Sequence, residues 1–545
     1  MGNRAILWAF VCVVSGASTG CVSQPQLPES DGGVSADGFA GDSGGDAFAG
    51  GDTGLDAALD AGADGGVDGG MAMDVGPTDA GPITTSVEAP PAEVVRMGSG
   101  GLLLRGTVLA PTGPITPGEV LIVGNTIACV AADCSATAGA STATIIDTHA
   151  TISPGLIDGH NHLTYDFLPE WVPPHLYMNR YEWSNDASYM AFIAPYADHR
   201  SAGDYVCPST KWGELRSIVH GTTTVQGQSP EQSCADRLAR NADHFHGLGT
   251  DHMQTAIGSV RDLTDAMRTT IIGNFTAGTT TRFVVHMEEG YAGMNVDREL
   301  ASYAGRDTRT VSLFESMGMP YRTGVFIHSV GLTTAELDET AMEGASIVWS
   351  PSSNMVLYGR TADIASILAR DIVVGIGPDW TPSGSDEMLS ELRYAQQYGH
   401  DNAVTALTSE RLWRMATSDG AEVVGLASGI GSLTVGLRAD ISVFGRTSAD
   451  PYQAVIDSRA RDVRLVLIDG AAYYGDASLQ AATAVNTSCE AFDACGTAKF
   501  LCAANTPGSA SRATETVADI HEQLRVIMAS YMRESELLEL VDCSL

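Results

Sequence analysis

From Thr151 onward, short apolar runs recur with helical stretches between them: Thr222 to Val225, Met253 to Ile257, Phe283 to His286, Thr323 to His328, Ser346 to Ser350 and Ile372 to Ile376. Strands separated by helices imply parallel pairing, and a long series of them suggests a closed barrel. The spacing therefore predicts an α/β chain whose residues 151–430 form a (β/α)8 TIM barrel. Both flanks read differently. Between Leu102 and Ile146 alternating strands such as Gly118 to Val123 are cut by Gly, Pro and Asn, and after Gly431 the chain returns to β with Ala439 to Phe444 and Val463 to Gly470. The segments 98–150 and 431–480 are expected to form one small β-sandwich domain.

The first residues indicate export. Arg4 precedes an apolar run from Ala5 to Val14, too short to span a bilayer as a helix, and small residues follow. Ser18-Thr19-Gly20-Cys21 resembles a bacterial lipobox, with Ser18 where Leu is usual, so residues 1–21 read as a signal peptide and Cys21 as the site of an N-terminal lipid anchor at the cell envelope. The alternative is ordinary cleavage nearby and a soluble periplasmic or secreted protein. Residues 22–97 are expected as a disordered linker: from Pro25 to about Pro82 the chain is Gly, Asp, Ala and Ser with no Lys or Arg, too little apolar surface to offset its entropy. Gly41-Asp42-Ser43-Gly44-Gly45 looks like a chymotrypsin-type nucleophile segment, but no strand signal flanks it, and it reads as an accident of composition.

The net charge of -36 argues against nucleic acid or an anionic membrane surface as partner; the expectation of a small-molecule substrate comes instead from the segment Pro154 to His162 and the resemblance it carries. Ten cysteines become eight once Cys12 and Cys21 are set aside, and an even number in an exported chain favours disulfides. Cys129 with Cys134 and Cys207 with Cys234 are the nearest pairs. Cys489, Cys495, Cys502 and Cys543 are expected to pair among themselves within a helical C-terminal extension, residues 481–545, with an amphipathic stretch from Thr514 to Leu540.

The chemistry enters at Pro154-Gly155-Leu156-Ile157-Asp158-Gly159-His160-Asn161-His162. Residues two apart on a strand share a face, so His160 and His162 can hold one metal ion. This segment resembles the first barrel strand of the amidohydrolase superfamily. In the same order, His286-Met287-Glu288-Glu289 looks like the fifth-strand His-x-x-Glu motif of its cytosine deaminases, chlorohydrolases and imidazolonepropionases. Val325 to His328 is similar to the sixth-strand His segment, Ser350 to Asn354 to the seventh-strand motif, and Ile376-Gly377-Pro378-Asp379 to the eighth-strand Gly-Thr-Asp, with Pro378 where Thr is usual. Gly431 to Asp440 looks like the family's return segment, so the resemblance runs from about Leu102 to Asp476.

That resemblance implies His160, His162, His286 and Asp379 as ligands of one divalent ion, Zn for preference with Fe as the alternative. It also implies Glu289 as the proton shuttle, His328 as the group that polarises the bond under attack, and Asp379 as an acceptor from the attacking water. Two-metal members bridge their ions with a carbamylated Lys at the end of the fourth strand. Lys211 and Lys499 are the two lysines of this chain, and neither is placed for that role. The expected activity is hydrolysis of non-peptide carbon–nitrogen bonds, by a deaminase or a cyclic amide or amidine hydrolase. An imidodipeptidase-like hydrolase of acyclic amides and a catalytically inactive surface-binding protein are the alternatives. The loop from Thr164 to Lys211 should lie above the barrel mouth, with Tyr177, Arg180, Tyr181 and Trp183 either lining the pocket or packed as a lid.

Overall fold

The computed structural model describes residues 86–200, 206–227, 238–243, 247–248, 252–256, 265–293, 296, 299–304, 323–484, 489–504 and 515–543. The expected signal peptide, the lipobox and residues 22–85 of the expected linker lie outside them. Eight strands of the central region are β1 (Leu156–Asp158), β2 (Thr222–Val225), β3 (Arg240–Asn241), β4 (His252–Ala256), β5 (Thr280–Met287), β6 (Gly324–His328), β7 (Ser346–Trp349) and β8 (Val374–Ile376). All their ladders are parallel: β1 to β3 make one sheet and β4 to β8 a second. The two sheets meet where β1 ends beside β8. There Gly159 N donates to Ile376 O at 2.9 Å, Asp379 N to His160 O at 3.1 Å and His162 N to Asp379 O at 2.7 Å. Among the described residues no ladder joins β3 to β4.

The strands are buried on both faces, which is why β5 to β7 read as continuous apolar runs instead of alternating ones. Ile157, Val284, Val325, Ile327 and Val348 pack in one apolar cluster with Val423, Val424, Leu426 and Ile430 from the segment after the last strand. Ile157, Val284 and the pair Val325 and Ile327 come before His160, His286 and His328 along the chain, so the apolar cluster lies on the strand-start side of those polar groups. The intervening helices carry ordinary end signals. Thr333 and Glu336 form a capping box for Thr334–Glu343, which Gly344 closes in a left-handed conformation.

The flanking segments meet in a ten-stranded sheet. Its longest strands, Gly113–Val123 and Thr144–Pro154, come from before the barrel. Thr144–Pro154 pairs in parallel with Leu102–Ala110 and antiparallel with Ile441–Phe444 from beyond the barrel. One continuous hydrogen-bonded path thus joins the two flanking segments. It extends past residue 480, because the hairpin Glu490–Ala494 and Thr497–Leu501 adds to Ala471–Asp476. The extension is therefore part strand, part helix. Its helix Val517–Ala529 buries Ile520, Leu524, Ile527 and Met528. The extension is tied to the helix Val206–Val219 by Lys211 Nζ to Glu515 Oε2 at 3.0 Å and Trp212 Nε1 to Leu538 O at 2.8 Å.

Ordered structure also begins before residue 98. Val87–Glu88 pairs with Arg446–Thr447, and Glu93–Arg96 pairs with Thr144–Pro154. The β-branched pair Val94-Val95 and the Arg96 guanidinium, which donates to Ala140 O and Ala143 O, account for that early start. Cys129 pairs with Cys134, Cys489 with Cys502 and Cys495 with Cys543. Cys207 is disulfide-bonded, and Cys234 lies outside the described residues.

Candidate metal centre and active site

The turn after β1 delivers two imidazoles to the point where the two parallel sheets meet. Asp158 Oδ1 accepts from His160 N at 3.1 Å and Asp158 Oδ2 from Asn161 Nδ2 at 2.8 Å, which fixes the backbone between the two histidines. A side chain at Gly377 would place its Cβ 2.6 Å from the backbone N and O of His160, so only glycine lets β8 approach this turn. The strand ends that face it are bent away from strand geometry: His328 has φ 66, Ser329 φ 54 and Asp379 φ 73. Left-handed backbone at non-glycine residues costs energy and concentrates at functional sites.

These ends bring five predicted residues together. The His160 ring centroid lies 4.9 Å from that of His162, 5.0 Å from His286 and 5.5 Å from His328. Asp379 Oδ1 is 3.1 Å from His160 Nε2 and 3.4 Å from His162 Nε2. Within two triads, His160/His162/Asp379 and His160/His286/His328, one ligand atom of each residue lies within 4.8 Å of the others. Burial, with the neighbouring histidines adding to it, lowers the pKa of His162 and His328 to about 3 and that of His286 well below its ordinary value, so these imidazoles are neutral and have lone pairs to offer. For Asp379 burial acts upward, and a hydrogen bond from His160 with positive charge on His328, His160 and His162 acts downward, so a cation among those rings, a proton or a metal ion, holds the carboxyl well below the usual carboxylate range.

The hydrogen bonds around His160 test whether this set fits a cation. Gln226 Nε2 donates to Asp243 Oδ1 at 3.1 Å, which turns Gln226 Oε1 toward His160 Nδ1, also at 3.1 Å. The proton of His160 is thereby assigned to Nδ1, and Nε2 keeps its lone pair. That lone pair faces an ionised carboxylate oxygen across 3.1 Å, and His160 Nε2 and His286 Nδ1 are buried with no hydrogen-bond partner among the described residues. Opposed acceptors at this distance repel unless a cation lies between them. Three imidazoles and a carboxylate suit Zn or Fe.

Glu289, just beyond β5, is buried at the rim of this cluster. Tyr358 OH donates to its Oε1 at 2.6 Å, and its Oε2 is 3.7 Å from both His328 Nε2 and Arg180 Nε. Burial raises its pKa to about 7, against the opposing pull of Arg180, so it exchanges a proton readily near neutrality. The cavity over the cluster, about 370 Å³ counted to its mouth, is walled by Tyr165, Trp183, Tyr189 and Trp380. A separate cavity of about 490 Å³ lies between Arg216, Arg393 and the C-terminal tail and contains none of the site residues.

His160, His162, His286, Glu289, His328 and Asp379 thus share one cavity or its floor. His328 stands closer to the ligand set than its expected polarising role implies, since it forms a triad with His160 and His286. Of the lid residues, Arg180 and Trp183 line the cavity; Tyr177 is buried against Trp171, and Tyr181 bonds Glu299 at 2.6 Å. Asn354 donates to Thr361 at 3.0 Å. Lys211 bonds Glu515 and Lys499 bonds Asp476, both away from the cavity. Four participants were not anticipated: Gln226, Asp243, Tyr358 and Ser353, whose Oγ donates to Asp379 Oδ2 at 2.6 Å. Ser353 stands inside the seventh-strand segment already singled out, and Gln226 directly follows β2, so both carried a positional signal; Tyr358 and Asp243 carried none.

Comparison with known proteins agrees with this geometry. The family model described as "Amidohydrolase family" matches residues 249–472. A 5'-deoxyadenosine deaminase of Methanothermobacter thermautotrophicus is 25% identical over 420 residues, covering 70% of this chain and 95% of that protein. A 5-methylthioadenosine/S-adenosylhomocysteine deaminase of Desulforudis audaxviator is 34% identical over a shorter stretch of 170 residues, 29% of this chain and 40% of that protein. Among solved structures, atrazine chlorohydrolase from Arthrobacter aurescens TC1 complexed with zinc superposes with a TM-score of 0.51 at 18% identity, covering 68% of this chain and 94% of that one. Over residues 249–472 the chain matches the amidohydrolase family model, and its similarity to these deaminases supports a metal-dependent hydrolase acting on non-peptide carbon–nitrogen bonds.

Proposed function

We propose that this chain deaminates a planar amino-substituted heteroaromatic ring of the 6-aminopurine class, with one divalent ion held by His160, His162, His286 and Asp379 at the mouth of a closed eight-stranded barrel. The observation that carries the reading is Glu289: a buried carboxyl with a pKa near 7, beside a cation-ready cluster in an aromatic-walled cavity. Both relatives named above are, by their names, deaminases of adenosine compounds, which supports the same ring class.

The ion, Zn or Fe, supplies Lewis acidity that makes water nucleophilic near neutral pH. Tyr165, Trp183, Tyr189 and Trp380 offer aromatic faces and edges to a flat ring and keep bulk water out. Asp379, kept anionic and fixed through Ser353, accepts a hydrogen bond from the attacking water. Glu289 takes one proton of that water to the ring nitrogen and then carries the second, from the added hydroxyl, to the leaving amine. Water adds at the amino-bearing carbon, the carbon–nitrogen bond breaks, and ammonia leaves with the transferred proton. His328, neutral and 3.7 Å from Glu289 Oε2, stabilises the charge developing on the added oxygen.

The test is ammonia release from a panel of 6-aminopurine nucleosides and bases beside cyclic amides, with Glu289→Gln as control. That variant should retain its metal and lose roughly 10²–10⁴-fold in kcat; equal turnover removes Glu289 from the mechanism, and release only from cyclic amides replaces the substrate class.

We also propose export of the chain with lipid attachment at Cys21, from the lipobox-like Ser18 to Cys21 segment. Metabolic labelling with a fatty acid, lost in Cys21→Ser, would support it; labelling in neither form points to a soluble exported protein.

A further inference from the structure

The short helix Arg180–Trp183 of the lid reaches both oxygens of Glu289. On one side Arg180 Nε lies 3.7 Å from Oε2. On the other, Trp183 Nε1 donates to Tyr358 OH at 2.7 Å, and Tyr358 OH donates to Glu289 Oε1 at 2.6 Å. An indole nitrogen can only donate, so the Tyr358 oxygen is the acceptor in the first bond and its one proton is committed to the second. Tyr358 and Trp183 are buried, and burial together with the neighbouring Glu289 pushes the Tyr358 hydroxyl well above its ordinary range, so that proton stays in place.

Oε1 is thereby occupied as an acceptor. Oε2 is buried, accepts no hydrogen bond among the described residues, and stands 3.7 Å from the His328 ring among the residues that line the cavity. We propose that Trp183 and Tyr358 are positioning residues that confine the transferable proton of Glu289 to Oε2, the oxygen on the side of the ring and the attacking water. The inference rests on Glu289 as proton carrier. It makes the lid helix part of the proton path as well as a wall of the cavity. Tyr358 does not line the cavity, so its hydroxyl can be removed without altering the surface a substrate meets.

The experiment is infrared difference spectroscopy on the metal-loaded full chain at a pH below 7, with Glu289→Gln used to identify the carboxyl band of protonated Glu289. Tyr358→Phe should move that band to higher frequency, because the carbonyl at Oε1 loses its donor, and Trp183→Phe should move it in the same direction by less. In steady-state kinetics Tyr358→Phe should lower kcat about tenfold or more, with KM within twofold and metal content unchanged. An unmoved band, or no such band in the unmodified chain, overturns the proposal, as does a raised KM with unchanged kcat. Should Tyr358→Phe not fold, the band shift in Trp183→Phe decides alone. Failure of the unmodified chain to deaminate aminopurines counts against the substrate class only, since the band requires no substrate.

Discussion

Where single protons reside governs most of the chemistry of this site. Gln226 and Asp243 leave the lone pair of His160 on Nε2, Ser353 occupies one oxygen of Asp379, and Tyr358 occupies one oxygen of Glu289. A second buried acid lies behind them. Glu391 accepts from Ser352 N at 3.2 Å and from the hydroxyls of Ser352 and Ser385, yet burial outweighs these bonds and raises its pKa to about 7. Because the folded value exceeds the ordinary 4.5, the unfolded chain ionises first as pH rises. The contribution to stability is complete below about 4.5 and is lost between there and about 7. In metal-free protein Glu391→Gln should flatten the decline of stability over that window by roughly 3 kcal/mol, read by urea denaturation at several pH values. An unchanged pH slope would mean that Glu391 ionises in the fold.

At the scale of elements, the strands carrying apolar runs were legible and the polar ones were not. Gly324–His328 and Ser346–Trp349 fall within a residue of the runs seen in the sequence, because burial on both faces leaves a continuous apolar signal. Arg240–Asn241 left no such trace: two polar residues form a strand because Arg240 is paired with Asp440 at 2.5 Å and Asp469 at 2.7 Å, partners about 200 residues away. In the tail the helix Val517–Ala529 falls within the amphipathic stretch, whereas the hairpin from Glu490 to Leu501 was not anticipated, since it depends on the edge offered by Ala471–Asp476. The candidate ligands were readable because each stands in, or just past, the end of its own strand, in order. Their partners Tyr358 and Asp243 were not, being brought in by tertiary packing. The contact between β1 and β8 depends on Gly377, where a methyl group would meet His160 backbone atoms at 2.6 Å. Gly377→Ala should therefore cost more than about 2 kcal/mol and reduce metal retention as well. Loss of stability with normal metal content would separate that contact from the ligand geometry.

Over the whole molecule, one sheet gathers chain from before the parallel strands, after them and from the C-terminal extension, so the βα region is clamped at its start and end by the same ladder. The disulfide between Cys495 and Cys543 closes a 48-residue separation and fastens the tail near the helix Val206–Val219. Chain-entropy reasoning puts an upper bound of about 4 kcal/mol on its contribution. Cys543→Ser, made with Cys495→Ser to leave no free thiol, should lower Tm by several degrees with kcat unchanged, because neither residue approaches the cavity. A fall in kcat at temperatures well below Tm would show that the extension shapes the site.

The central claim is one ion held by His160, His162, His286 and Asp379. Elemental analysis of the purified full-length chain beside His160→Ala tests it most directly. Close to one Zn or Fe per chain, lost in the variant, is the expected result. No metal in either protein, or two ions per chain, would contradict it.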